Sequence, residues 1–227
     1  MTLLRRTSDR VHGSLFSSML MFALPIMAMN ILQLAFNAAD MIVVGRFDGS
    51  SALAAVGATG SLINLIVNLF MGLSVGTSVV VAQAYGARRL EDIRQSVHTS
   101  IAVSLIGGVT ASIIGLLFCA PLLSWMGTPD DILPLSTLYM KILFIGMPAS
   151  MVYNFGAAIL RAVGDSKRPM YFLTVSGVVN VVLNLFFVAT LHLGVAGVAW
   201  STIISQNLSM GLIMAALMKH EGALRFN

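Results

Sequence analysis

The stretch "ILQLAFNAADMIVVGRF", residues 31–47, places a single carboxylate, Asp40, inside an otherwise apolar run. The chain around it has 227 residues, of which 57% are hydrophobic and only 10% are charged, and its mean hydropathy is +0.90. A soluble domain of this length needs more polar surface than this composition provides. Several apolar runs reach the roughly 20 residues that a helix needs to cross a bilayer. The sequence therefore predicts an integral membrane protein.

Hydropathy divides the chain into six predicted spans. The apolar runs are continuous rather than alternating, which favours an all-α bundle over a β-barrel. Pro25 predicts a kink in the first span, and Pro148 lies inside the fourth. The predicted spans are residues 15–44, 53–82, 97–118, 132–159, 170–191 and 195–218. Together they predict one six-helix transmembrane lobe over residues 15–218, with an N-terminal segment 1–14 and a tail 219–227.

The distribution of basic residues predicts the orientation. Only Arg46 and Lys141 are predicted on one side of the membrane. Lys141 falls within the fourth predicted span and is the one cation expected inside a span. The positive-inside rule then predicts a multi-pass protein of the plasma (inner) membrane with both termini in the cytoplasm. Topology accounts for the basic residues, so no nucleic-acid partner is expected. The other side holds 11 of the 13 Lys and Arg residues: Arg5, Arg6, Arg10, Arg88, Arg89, Arg94, Arg161, Lys167, Arg168, Lys219 and Arg225.

Asp40 belongs to a polar stripe on the first span. Asn30, Gln33, Asn37 and Asp40 are spaced 3, 4 and 3 residues apart, so they fall within about 80° of one another on a helix. A polar stripe in lipid is costly, so this face is predicted to line an interior cavity. Interhelical hydrogen bonding alone is the alternative interpretation for any single asparagine. Matching stripes on other spans include Asn64, Asn68, Tyr139, Asn154, Asn180, Asn184, Thr202 and Gln206.

Motifs for enzymatic chemistry are missing from the sequence. It contains no phosphate-binding Gly-Lys-Ser/Thr loop, no HExxH and no GxSxG. The lone Cys119 allows no disulfide within the chain, and the four histidines show no ligand spacing. The expectation is therefore a protein that is not an enzyme and that carries no organic cofactor or metal cluster.

Several ordered motifs resemble the multidrug and toxic compound extrusion (MATE) transporters. The resemblance runs from about residue 12 to 218 and covers one six-helix lobe. It is carried by "NAADMIVVGRFDGSSALAAVGATG", "GLSVGTSVVVAQAYGARRLED", "YMKILFIGMPASMVYNFGAAILRAVGDSKRPM", "NVVLNLFFV" and "GVAGVAWSTIISQ".

This resemblance implies a function and a site. Such transporters exchange H⁺ or Na⁺ for organic substrates, many of them cationic or aromatic drugs. Pro25 matches the family's first-span proline, where bending is associated with protonation, and Tyr139 and Asn154 lie near the coupling centre. The positions of that centre fall on Asp40, Asn180, Asn184 and Thr202.

One departure from the family pattern concerns the coupling ion. Many members carry a second acid where Asn184 stands, so this chain lacks one charge that would attract Na⁺. The oxygens of Asp40, Asn180, Asn184 and Thr202 still make Na⁺ possible there. Because loss of water favours the protonated form of a lone carboxyl, H⁺ is the preferred coupling ion.

A second departure concerns length. Family members have twelve spans in two lobes, so the expected partners are membrane lipid, a small organic substrate and a second six-helix lobe. That lobe is either a C-terminal half or a second copy of this chain. Two alternatives stay open: a flippase for lipid-linked precursors, which would favour several cations in the cavity, and a non-transporting fragment or scaffold.

Overall fold

The computed structural model describes residues 15–219, which form a helical bundle without a β-strand in that range. Each helix follows one of the long apolar runs. The elements are α1 (Leu15–Phe47), α2 (Gly49–Gly86), α3 (Leu90–Trp125), α4 (Leu133–Ile145), α5 (Met147–Ala162), α6 (Lys167–Asn184), a π-helical segment (Leu185–Thr190) and α7 (Gly194–Met218).

The helices give six membrane-spanning units. Five are long and apolar enough to cross a bilayer individually, and α4 with α5 forms the sixth as a bent pair. The predicted all-α, six-span architecture is confirmed. The helices extend beyond the predicted spans, as α2 shows by covering Gly49–Gly86 instead of residues 53–82. Hydropathy detects only the apolar centre of a helix, whose backbone continues into the polar interface.

The fourth span is broken, which corrects the prediction of a single span over residues 132–159. The axes of α4 and α5 differ by 51°, with Gly146 between them. Pro148 cannot donate a backbone hydrogen bond, and its ring would clash with the carbonyl four residues earlier. It therefore lies in the first turn of α5, where no intrahelical donor is needed. The proline starts a new helix instead of kinking an old one.

The first span behaves differently around its proline. Helix α1 continues through Pro25, whose side chain is buried. Prolines are tolerated in membrane helices because neighbouring groups satisfy the freed carbonyl. The kink expected at Pro25 stays a prediction.

Helices α3, α5 and α7 pack closely through glycines. A Cβ added at Gly108 of α3 would lie 2.6 Å from the Cα of Pro148, and one added at Gly156 of α5 would lie 2.8 Å from Ile213 Cγ1. Small residues permit such close approach of helix backbones. As a result, ten of the 16 residues of α5 are buried.

Helices α1 and α2 are much more open. Large apolar side chains such as Leu34 on α1 and Leu65 on α2 are 69% and 67% exposed. The end of α1 is nevertheless fixed against the start of α7, because Asp48 lies directly against Gly194. Gly194 has φ +54°, a conformation that favours glycine. This contact brings the last turns of α1 beside the first turns of α7, where the candidate site lies.

Candidate cation-coupling site and cavity

A cavity of about 660 Å³ lies between α1, α2, α4, α5 and α7. Along α1 it extends from Ile26 to Met41, which corresponds to about 22 Å of helix. The polar stripes therefore face one shared space, although Asn30, Gln33 and Asn37 remain exposed within it. The lining includes nine of the residues expected there: Asn30, Gln33, Asn37, Asp40, Asn64, Tyr139, Asn154, Thr202 and Gln206.

Asp40 lies where this cavity meets the interior of the bundle. Its side chain lines the cavity, yet the residue is only 9% exposed. The Nδ2 group of Asn184 donates a hydrogen bond to Asp40 Oδ1, and Ser201 Oγ donates to Asn184 Oδ1. Both ends of the completely buried Asn184 amide are thus engaged. The arrangement fixes the carboxylate of α1 to α6 and α7.

Asn180 and Thr202 extend the same cluster. Asn180 Nδ2 lies 3.4 Å from Thr202 Oγ1, and Asn184 Nδ2 lies 3.4 Å from Asn180 Oδ1. The Thr202 hydroxyl also donates to the carbonyl of Val198 at 2.9 Å. The structure therefore brings together all four residues that the resemblance assigned to coupling. Asn180 and Asn184 lie behind the cavity wall, whereas Asp40 and Thr202 form part of it.

Local helix geometry explains this convergence. Asn180 and Asn184 are one turn apart at the end of α6, so their side chains point the same way. The π-helical segment Leu185–Thr190 begins immediately after Asn184. Single π-helical turns occur frequently at functional sites, where they change the direction of the following side chains.

Two expectations about polar side chains differ from the structure. Asn68 was expected to line the cavity, but its side chain is exposed and lies outside it. The cavity face of α2 runs through Asn64, Val67 and Met71, and Asn68 lies about 100° around the helix from Val67. Lys141 was expected to be the one cation inside a span; it lies in α4, exposed and outside the cavity lining, but Arg161 of α5 is a second cation in the same broken span.

Arg161 lies in a helix, whereas it was expected in the loop after the fourth span. It was assigned to a cytoplasmic loop because the fourth span was expected to end at residue 159. Instead, Arg161 lies in the last turn of α5, partly buried and lining the cavity. It follows Asn154 by seven residues, which is nearly two full turns and hence the same helix face. That spacing was the signal that could have placed it correctly.

Ser201 was also missed. It is completely buried and donates to Asn184, but serine in an apolar helix usually indicates close packing rather than a site. Its position one residue before Thr202 gave no reason to interpret it as a site residue rather than as a packing residue. Only the three-dimensional proximity of α6 and α7 identifies it.

The cluster contains one carboxylate. Among residues 15–219, no group of three or more His, Cys, Asp and Glu side chains could hold a metal ion. The oxygens available to a monovalent cation are those of Asp40, Asn180, Asn184 and Thr202. Two of these, the amide oxygens, already accept hydrogen bonds from protein donors.

Comparison with known proteins extends over most of the chain. The family model described as MatE matches residues 25–186. The probable multidrug resistance protein YoeA of Bacillus subtilis is 34% identical over 225 residues, covering 97% of this chain and 49% of that protein. The chain spans about half the length of the curated relatives it matches.

Comparison with solved structures also finds MATE transporters. A crystal structure of MATE in the bent conformation aligns with a TM-score of 0.88 at 31% identity, covering 95% of this chain and 48% of that one. The outward-facing conformation of a multidrug resistance MATE family transporter aligns with a TM-score of 0.87 at 31% identity, covering 96% and 49%. The similarity thus corresponds to one half of each of these structures.

Proposed function

The chain belongs to the MatE family, and we propose that it forms one lobe of a secondary active antiporter. This lobe exports organic, often cationic, drugs or metabolites in exchange for H⁺ rather than Na⁺. The relatives named above are a probable multidrug resistance protein and a multidrug resistance MATE family transporter, and neither name describes an enzyme. One observation carries the proposal: a buried carboxylate, Asp40, connects a closed hydrogen-bonded cluster to an open polar cavity.

The cluster suggests how ion binding would be coupled to movement. As a carboxylate, Asp40 is a strong acceptor for Asn184 Nδ2, because hydrogen bonds to charged groups are stronger than neutral ones. Protonation at Asp40 removes that charge and weakens the contact. Helix α1 is then held less firmly against α6 and α7. A cationic substrate in the cavity loses its attraction to Asp40 at the same moment, so proton binding and substrate binding exclude each other.

The hydrogen-bond pattern favours H⁺ over Na⁺. Cation binding would require several oxygens to turn toward one point, but the oxygens of Asn180 and Asn184 already accept bonds from protein donors. A proton needs only one oxygen of Asp40. Proton binding therefore requires less rearrangement of the described cluster than Na⁺ binding.

The open side of the bundle supports the proposal of a second lobe. Helices α1 and α2 expose apolar residues beside the cavity, and the chain corresponds to half of its relatives. The missing partner is either the other half of a longer protein or a second copy related by an axis along the membrane normal. We place the termini in the cytoplasm and the lobe in the plasma (inner) membrane, with lipid on its outer faces.

The flippase alternative has less support. A cavity for a lipid-linked phosphate would favour several basic residues, and Arg161 is the only Lys or Arg within residues 20–219 that lines this one. A passive scaffold would have no use for a buried carboxylate, whose burial is costly. Neither alternative explains the cluster around Asp40.

The deciding experiment is the substitution Asp40→Asn, which preserves shape and removes the charge. The matched control is Asp130→Asn, because Asp130 is an exposed carboxylate in the turn between α3 and α4. Both variants would be joined to the second half of the YoeA relative and reconstituted in vesicles. Export of a cationic dye would be measured under a pH gradient and, separately, a Na⁺ gradient.

We expect Asp40→Asn to abolish pH-driven export while Asp130→Asn transports normally. Normal export by Asp40→Asn would exclude the carboxylate as the coupling group. Export driven by Na⁺ alone would overturn the choice of H⁺. Failure of Asp40→Asn to insert would instead assign Asp40 to holding the helices together.

A further inference from the structure

Arg161 gives the cavity a second charge that the proposed coupling mechanism does not use. Its side chain lines the cavity from the last turn of α5, on the same helix face as Asn154. The residue is partly buried. An ionisable group in such a position within a membrane protein is costly and is usually functional.

No carboxylate neutralises this guanidinium in the part of the chain that the structure describes. The nearby acid, Asp165, is engaged by Arg168, whose Nε lies 3.2 Å from Asp165 Oδ2. Asp165 Oδ1 also accepts the backbone N–H of Arg168 at 3.2 Å. The ion pairs within residues 15–219 do not include Arg161. Its charge is therefore available to a ligand.

The neighbourhood of Arg161 is fixed. Tyr153 is close enough to interact with it electrostatically, and the Tyr153 hydroxyl donates to the carbonyl of Pro169 at 3.0 Å. This bond fastens α5 to the start of α6. Gly164, with φ +89°, turns the chain between these helices. The motif "RAVGD" thus ends one helix and starts the next, while it directs Arg161 into the cavity.

Membrane topology alone does not explain this orientation. A basic residue that serves only the positive-inside bias extends toward water and lipid headgroups. Lys167 and Arg168 do so, since both are exposed. Arg161 instead faces the same space as Asp40.

The two charges lie at opposite ends of the bundle. Helix α6 begins near Arg161, where Pro169 accepts the Tyr153 bond, and ends at Asn184, which bonds Asp40. The 15 residues from Pro169 to Asn184 correspond to about 22 Å of helix. Arg161 is therefore a separate point of recognition.

We propose that Arg161 forms an anion subsite at the end of the cavity nearest the α5–α6 turn. It binds a carboxylate, sulfonate or phosphate group of an organic substrate through charge-assisted hydrogen bonds. This inference rests on the proposed transport function and deepens it, because it adds organic anions and zwitterions to the substrate class. Asp40 selects a cationic group, and Arg161 selects an anionic one.

The test uses two fluorescent probes that differ in one charge. One is a rhodamine with a free carboxylate, and the other is the methyl ester of the same dye. Binding to the purified full chain in detergent would be measured by fluorescence anisotropy. The variants are Arg161→Gln, which removes the charge, and Arg161→Lys, which keeps it. Lys141→Gln is the matched control, since Lys141 lies outside the cavity.

We expect Arg161→Gln to weaken binding of the carboxylate dye by about tenfold and that of the ester by less than about twofold. Arg161→Lys should retain most of the affinity, and Lys141→Gln should change neither dye. Asp40→Asn should weaken the ester and leave the response to Arg161→Gln intact, so failure of the coupling proposal is distinguishable from failure of this one.

Three results would overturn the subsite. The first is an equal loss for both dyes in Arg161→Gln, which would mean that Arg161 only shapes the cavity. The second is no carboxylate-dependent effect of Arg161→Gln at all. The third is displacement of the carboxylate dye by low concentrations of a short-chain phosphatidylglycerol, which would assign the guanidinium to a lipid headgroup.

Discussion

The packed side of the bundle, α3 with α5 and α7, differs from the open side, α1 with α2, although both consist largely of apolar residues. Glycine shows the difference clearly. At Gly108 and Gly156 an added Cβ would collide with a neighbouring helix, whereas at Gly57 and Gly60 of α2 it would meet nothing within 4 Å. The same residue type permits close contact on one side and borders the cavity on the other.

Polar residues show the same contrast. Asn184 is completely buried and bonded at both ends of its amide, while Asn68 on α2 is exposed. Hydrophobicity does not separate the two sides, because lipid accepts an apolar face as readily as a protein core does. Shape and hydrogen bonding determine which side is rigid and which is free to bind another lobe or a substrate.

The substitution Gly108→Ala should produce the largest effect on the packed side. The new methyl group would lie 2.6 Å from the backbone of Pro148, which cannot move without shifting α5. We expect a loss of about 2–3 kcal/mol in the free energy of unfolding, measured by SDS titration in mixed micelles. Gly60→Ala is the control and should be neutral or stabilising by up to about 1 kcal/mol. Equal losses in both variants would remove the distinction between the two sides.

The substitution Asn184→Leu compares the polar residues of the two sides. It deletes the donor to Asp40 and the acceptor for Ser201 at similar volume. We expect a loss of about 1–2 kcal/mol, together with loss of pH-driven export. Asn68→Leu should change neither stability nor export. Coupled export by Asn184→Leu would show that Asp40 functions without the support of α6.

The substitution Ser201→Ala tests one hydrogen bond between α6 and α7 on the packed side. It removes one hydrogen bond and leaves Asn184 Oδ1 without that donor. An interhelical hydrogen bond in a membrane protein averages about 0.6 kcal/mol, so a loss of that size is expected in the same SDS titration. A loss several times larger would indicate that Ser201 supports the whole cluster cooperatively.

The smallest effect is expected for Ser176→Ala. Ser176 is buried on α6, and its Oγ is the one buried side-chain polar atom in the described range that lacks a hydrogen-bond partner. Removing an unsatisfied hydroxyl costs nothing and can be slightly stabilising. A clear loss of stability would reveal that this hydroxyl has a partner such as an internal water molecule.

Sequence reasoning predicted the six spans and nine polar residues of the cavity wall, because both depend on local periodicity. Asn30, Gln33, Asn37 and Asp40 share a face whatever the rest of the chain does. The break at Gly146 was harder to predict, since a proline inside an apolar run fits either a kink or a new helix. Only the packing of α5 against α3 and α7 distinguishes them.

The site residues that escaped prediction depend on contacts between helices. Ser201 is identified as a site residue only by its hydrogen bond to Asn184 on another helix. Arg161 is identified only because α5 continues beyond its apolar segment. Hydropathy predicts which residues lie in the lipid, but it does not predict how far a cavity extends toward the membrane surface. Charged residues near span ends are therefore assigned to loops by default, and Arg161 was assigned in that way.

The bond between Asn184 and Asp40 also has a consequence for biosynthesis. Its partners are separated by 144 residues, so ribosomes extending the chain at about 5–20 residues per second need about 7–29 seconds to produce the second after the first. Throughout that interval the first span is present without the amide that holds its carboxylate. The newborn helix depends on the insertion machinery or on water to keep Asp40 solvated until α6 emerges. Translation speed over residues 41–184 is thus a variable of assembly for this lobe.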